Sequence, residues 1–216
     1  MSTNVLVIGQ SGTGKSTSLR TMDDKSTFLI NVINKPLPFR GWKDRYKAFS
    51  KSDLTGNILV TDDTAVIVKT LRWLSENRLE IKTIAIDDFH YVMVNQFMRK
   101  ANEKGYEKFT QIALDAWSII RTGQELRDDL TVVLLSHSDE SETGNIKCKT
   151  IGRMLDDKIT LEGMFTIVLR TIVKDGKYFF ATKNSGHDTV KSPMGMFESE
   201  LIDNDLAAVV DAIQAY

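Results

Sequence analysis

The stretch Val5-Leu6-Val7-Ile8-Gly9-Gln10-Ser11-Gly12-Thr13-Gly14-Lys15-Ser16-Thr17 decides the fold. Its four leading apolar residues predict a buried strand. Residues 9–16 fit the pattern G-x-x-x-x-G-K-[ST] at every fixed position, and residues 15–22 read as the opening turns of a helix. Strand, glycine-rich loop and helix in that order make a cradle for phosphate. Glycines let successive backbone N–H groups turn inward around an anion. The helix N-terminus adds unpaired donors and the positive end of its dipole. Each residue from Gly9 to Thr17 is therefore a candidate contact to a nucleoside triphosphate, with ATP the expected ligand. Lys15 is placed to reach the β- and γ-phosphates, and the Ser16 hydroxyl to join the shell of a Mg²⁺ ion.

A second apolar run, Thr83-Ile84-Ala85-Ile86, delivers Asp87 and Asp88 at the end of a strand. Asp87 is expected to hold the Mg²⁺ through water. Asp88 is a candidate to orient or deprotonate an attacking water; the competing role is a helix cap. A third run, residues 131–137, is apolar and ends in Ser136 and His137. Ligands of open α/β sheets sit at the carboxyl ends of strands. Ser136 or His137 is thus expected beside the γ-phosphate, as a sensor of its presence, unless the two merely begin a solvated loop. His90 reads as a packing or helix-start histidine.

The remaining elements follow from periodicity and turn chemistry. Strands are expected over residues 27–33, 58–61, 165–173 and 177–183, and helices over 64–77, 89–103, 109–129 and 155–161. Asp203 or Asp205 caps a last helix ending at Ala212. Lys174-Asp175-Gly176-Lys177 reads as a hairpin turn. Residues 34–57 hold two of the three prolines and read as a structured excursion. Its Lys35, Arg40, Trp42, Lys43, Arg45 and Tyr46 are free to touch a base, a partner or nucleic acid, or to pack inward. Residues 138–152 read as a long polar loop, acidic and then basic, set to contact a polymer passing the site.

The totals set bounds. The chain has 216 residues and a formal net charge of −1, so no global field holds nucleic acid. One cysteine, Cys148, excludes an internal disulfide and fits a reducing compartment. No apolar run approaches the ~20 residues of a membrane span, and the first strand begins too early for a leader, so a cytoplasmic setting is expected.

With these residues in place, the chain resembles the RecA-like branch of the P-loop ATPases. More narrowly, it resembles small bacteriophage ATP-binding proteins of the single-strand annealing and recombination type. The likeness rests on residues 9–17, 84–88, 132–137 and 182–186, and on the Asn31–Phe39 stretch. It implies one three-layer α/β/α domain over residues 1–216, with a mostly parallel sheet and a C-terminal β-hairpin at one edge. It also puts the strand 131–136 between strands 4–8 and 83–87. It implies ATP and Mg²⁺ as cofactors and single-stranded DNA as ligand. A homo-oligomer is expected, as is a single-strand binding protein or helicase partner, in the cytoplasm of a bacterial host. Lys183 would then reach the γ-phosphate of a neighbouring copy; otherwise it and Lys191 are solvated hairpin lysines. Two features depart from the branch. Asn31 and Asn34 stand near the usual position of a catalytic glutamate, and Lys183-Asn184-Ser185 lacks the expected arginine. A nucleotide-switched accessory protein such as a helicase loader, and a small-molecule kinase, remain as alternatives.

Overall fold

The structure is a computed structural model that describes residues 1–151 and 159–216. In chain order, β1 (Thr3–Gly9), β2 (Thr27–Asn31), α1 (Trp42–Arg45), β3 (Ile58–Val60), α2 (Thr64–Asn77), β4 (Thr83–Asp87), α3 (His90–Arg99) and α4 (Glu107–Gln124) come first. Then follow β5 (Thr131–Glu140), β6 (Ile146–Cys148), β7 (Ile167–Lys174), β8 (Lys177–Ala181), β9 (Leu201–Asp203) and α5 (Leu206–Ala215). Among the described residues the strands form one sheet in the order β3-β2-β4-β5-β1-β7-β8-β9, with β6 paired to β5. The pairs from β3 through to β7 are parallel, while β8 and β9 are antiparallel.

The central strands read as unbroken apolar runs because helices cover both faces. Alternate side chains serve opposite layers. Leu6, Ile8, Ile84, Ile86, Val132 and Leu134 pack with residues of α2, α3 and α4. Val5, Val7, Ala85, Val133 and Leu135 pack with Leu19, Met22 and α5. The expected α/β/α sandwich is present, β5 lies between β4 and β1, and the β7–β8 hairpin extends the sheet. At its turn Asp175 and Gly176 take φ of 51° and 72°, the left-handed pair a tight hairpin needs. Asp63 and Asp205 cap α2 and α5, accepting from Val66 N and Ala208 N.

Two expectations change, one strand went unread, and one expected helix falls largely outside the described residues. The helix after the phosphate loop is a 3₁₀ turn, Ser16–Thr21. Ser18 Oγ and Thr21 Oγ1 donate to the carbonyls of Lys15 and Ser18, drawing off acceptors a regular helix would use. Arg45 then takes the carbonyls of Arg20 and Met22. Residues 138–148 are no loop but a two-stranded ribbon. Asp139 faces Lys147 across it, so the acidic-then-basic order is a cross-strand pairing. Strand β9 carries only three residues at an edge, too short for a sequence pattern. Residues 155–158 of an expected helix, with Gly152 and Arg153, lie outside the described residues; a 3₁₀ turn spans Leu161–Met164.

Candidate functional site

Strand β1 ends at Gly9, where a Cβ would stand 1.9 Å from Thr171 Oγ1. Only a bare backbone passes β7 that closely. The loop then turns through Gly12 and Gly14 at φ of 78° and 103°, a range that favours glycine. Thr13 pins it, donating to Gln10 O at 2.7 Å and sharing a 2.6 Å bond with Thr171 Oγ1. Lys15 Nζ donates to the carbonyls of Gly9 and Gln10 at 2.8 Å each. Burial lowers its pKa to about 8, against the opposing charges of Asp88 and Asp87.

Below the loop, Ser16 Oγ donates to Asp87 Oδ1 at 2.8 Å. Asp87 is fully buried at the end of β4, and its Oδ2 has no hydrogen-bond partner. Burial, then the charge of Asp88, raises its pKa to about 6. A hydroxyl and a carboxylate with an orphaned buried oxygen fit Mg²⁺, a hard ion that takes one or two protein oxygens and fills its shell with water and substrate phosphate. Ser16 and Asp87 are the residues that would hold it. Among the described residues no group of three His, Cys, Asp or Glu forms a separate metal cage.

Asp88 leaves the strand at a left-handed φ of 61°. Its carboxylate does not cap α3, which has no side-chain cap. Instead Oδ2 lies 2.5 Å from Lys35 Nζ and Oδ1 lies 3.6 Å from His137 Nε2. Burial pushes this carboxyl up, but the neighbouring His137 and the Lys35 ammonium outweigh it and hold Asp88 below its ordinary range. A cleft of about 660 Å³ joins these groups. Ser11, Gly12, Gly14, Lys15, Ser16 and Thr17 line one side, Lys35, Pro36 and Pro38 another, and Asp88, His137 and Tyr178 complete it.

The structure therefore brings Lys15, Ser16, Asp87, Asp88 and His137 together. Ser136 lies elsewhere: it is fully buried on the α2–α4 side, where its Oγ accepts from Cys148 Sγ at 3.4 Å. Strand alternation explains this, since adjacent residues of β5 face opposite layers. Lys183 does not line the cleft; its Nζ points at Glu198 O, 3.4 Å away. His90 is buried, bonded through Nδ1 to Lys149 O at 3.0 Å, and lowered to about 4 by burial, as befits a packing residue. Lys35, Pro36, Pro38 and Tyr178 also line the cleft; the sequence offered Lys35 as an excursion residue that could touch a base, a partner or nucleic acid, and offered nothing for Tyr178. Lys35 follows the end of β2, the edge where ligands of parallel sheets bind, and that position was the available signal.

The AAA domain family matches residues 1–194. The chain belongs to it. The match spans the phosphate loop, Asp87, Asp88, His137 and the β7–β8 hairpin, and ends before β9 and α5. The sequence matches no curated protein. Membership supports a P-loop AAA-type ATPase, a class broader than the phage annealing proteins. No helix among the described residues is long and apolar enough to cross a membrane.

Proposed function

We propose that the chain binds MgATP in this cleft and hydrolyses it. The observation that carries the reading is the convergence of Lys15, the Ser16–Asp87 bond and Asp88 on one cavity at the carboxyl ends of β1 and β4. Residues 9–17 cradle the phosphates and Lys15 holds the β- and γ-oxygens. Magnesium held by Ser16 and Asp87 would draw charge from those oxygens. Asp88 orients the water, whose oxygen bonds to the γ-phosphorus while its proton passes to the carboxylate. The bond from the γ-phosphorus to the bridging oxygen breaks, and ADP leaves with the electron pair. A loose transition state asks for positioning more than for a strong base, which suits an Asp88 held at low pKa. Asp88→Asn is expected to bind MgATP as wild type does and to release phosphate at least about 100-fold more slowly; wild-type turnover would move the water-orienting role elsewhere.

We further propose single-stranded DNA as the polymer that couples to hydrolysis. The β5–β6 ribbon supports this, since it continues the strand that brings His137 to the cleft. Replacing residues 140–146 by an Asn-Gly turn keeps the Asp139–Lys147 pair and should remove DNA stimulation while leaving basal turnover. Salt dependence of the stimulation reports the phosphate contacts. A second reading, ATP as a switch for partner affinity with slow hydrolysis, is favoured by the Lys35–Asp88 ion pair. A turnover rate unmoved by oligonucleotide selects it.

A further inference from the structure

Lys35 is the charged cleft residue to which the reading above gives no role. Its backbone is fixed. Asn31, in register with Asp87 across the β2–β4 pair, donates through Nδ2 to Lys35 O at 2.8 Å. Asn34 enters at φ 53°, and Pro36 restricts the exit. Its side chain is not fixed in the same way: it is 42% exposed, and its contact is the 2.5 Å ion pair with an Asp88 only 1% exposed. Lys15 and Lys35 line the same cavity, and the charge of Lys35 bears on Lys15. Lys15 sits on the loop carbonyls, while Lys35 stands on the other rim beside Asp88. Two ammonium groups facing one cleft can meet an anion carrying several charges, and a phosphate that enters competes with the Asp88 carboxylate for Lys35.

We propose that Lys35 turns from Asp88 to the γ-phosphate and is the second cationic contact to the transferred group, supplied within one chain. The proposal rests on the ATPase reading above. The exchange does two things at once. It puts positive charge where the γ-oxygens gain negative charge in the transition state. It also frees the Asp88 carboxylate to accept the proton of the attacking water. The cation that the sequence placed in Lys183 of a neighbour is then present in cis.

The test compares wild type, Lys35→Ala and Lys35→Arg, each alone and with Asp88→Asn. ADP and ATPγS affinities are measured by calorimetry, and phosphate release is followed with ATP. Lys35→Ala should bind ADP within about threefold of wild type and lose about 100-fold in turnover, with partial recovery in Lys35→Arg. In the slowly hydrolysing Asp88→Asn background, Lys35→Ala should still cut the preference for ATPγS over ADP about tenfold. An unchanged preference there would mean that Lys35 only pins Asp88, and overturns the proposal; so does Lys35→Ala turnover within threefold of wild type. If Lys35→Ala loses ADP binding as well, Lys35→Gln, which keeps most of the side chain's length, is read by the same ratio. Mixing Lys35→Ala with Lys15→Ala chains should restore no activity, and restoration would overturn the placement in cis. A wild type that binds no MgATP would overturn the ATPase reading and this one with it. Normal wild-type binding with an unaffected Lys35→Ala overturns this one alone.

Discussion

The two rims of the cleft are held in different ways. On one rim, residues 9–17 are held mainly by their own neighbours. Lys15 bonds to Gly9 and Gln10, Thr13 to Gln10, and Ser18 to Lys15, with Thr171 and Asp87 as distant anchors. On the other rim, residues 34–45 are held by partners far away in sequence. Lys35 pairs with Asp88, Arg45 takes the carbonyls of Arg20 and Met22, and Leu37 is buried against the sheet. A rim of local bonds is a cradle that needs little besides its own sequence. A rim of distant bonds exists only once the sheet has closed, and such contacts are free to exchange.

The largest expected effect lies beneath both rims, at Asp87. Its carboxyl sits at about 6 in the folded chain against 3.8 in a solvated one, because burial opposes its charge. A raised carboxyl favours folding below the unfolded value and withdraws that stability as pH rises through about 6. The difference of roughly two pH units corresponds to about 3 kcal/mol. Between pH 4 and pH 7, wild type should therefore lose about that much stability relative to Asp87→Asn, as read by urea unfolding. A flat difference would mean that Asp87 is better solvated than its burial implies.

Next comes Arg45, which ties the distant rim to the turn after the phosphate loop. Arg45→Ala strips partners from two carbonyls and should cost about 2 kcal/mol, seen as a lower urea midpoint. Nucleotide affinity should hold, because the bonds of residues 9–17 do not involve Arg45. A parallel fall in affinity would show that the near rim leans on the distant one.

The smallest effect tests the distant rim alone. Asn31→Ala removes the bond to Lys35 O and should cost about 1 kcal/mol. ADP affinity should hold while ATP turnover drops several-fold. Equal losses in both would erase the distinction between the rims.

The same distinction explains what could be read in the sequence. The near rim was legible residue by residue, because glycine, lysine and hydroxyl positions encode a local backbone shape. So were the buried strands and, to within two candidates, the α5 cap, since periodicity and the Asp203 or Asp205 signal are local too. Asp87 was legible as the polar end of an apolar strand. Lys35 was legible only as a possible contact on the excursion; its pairing with Asp88 was not, since nothing near it in sequence announces that partner. Ser136 was expected in the cleft and faces away from it, because position along a strand sets its end but alternation sets its face. The β5–β6 ribbon was read as a loop because its charges find their complements only across the pair. The 3₁₀ turn after the loop could not be told from a helix without seeing where its hydroxyls go.

The most direct measurement is a calorimetric titration of MgATP into wild type and Lys15→Ala, with and without chelator. The account predicts saturable binding of one nucleotide per chain to wild type, weakened when magnesium is removed, and a loss of at least about 100-fold in Lys15→Ala. Equal heats from the two chains, or none from wild type, would contradict it.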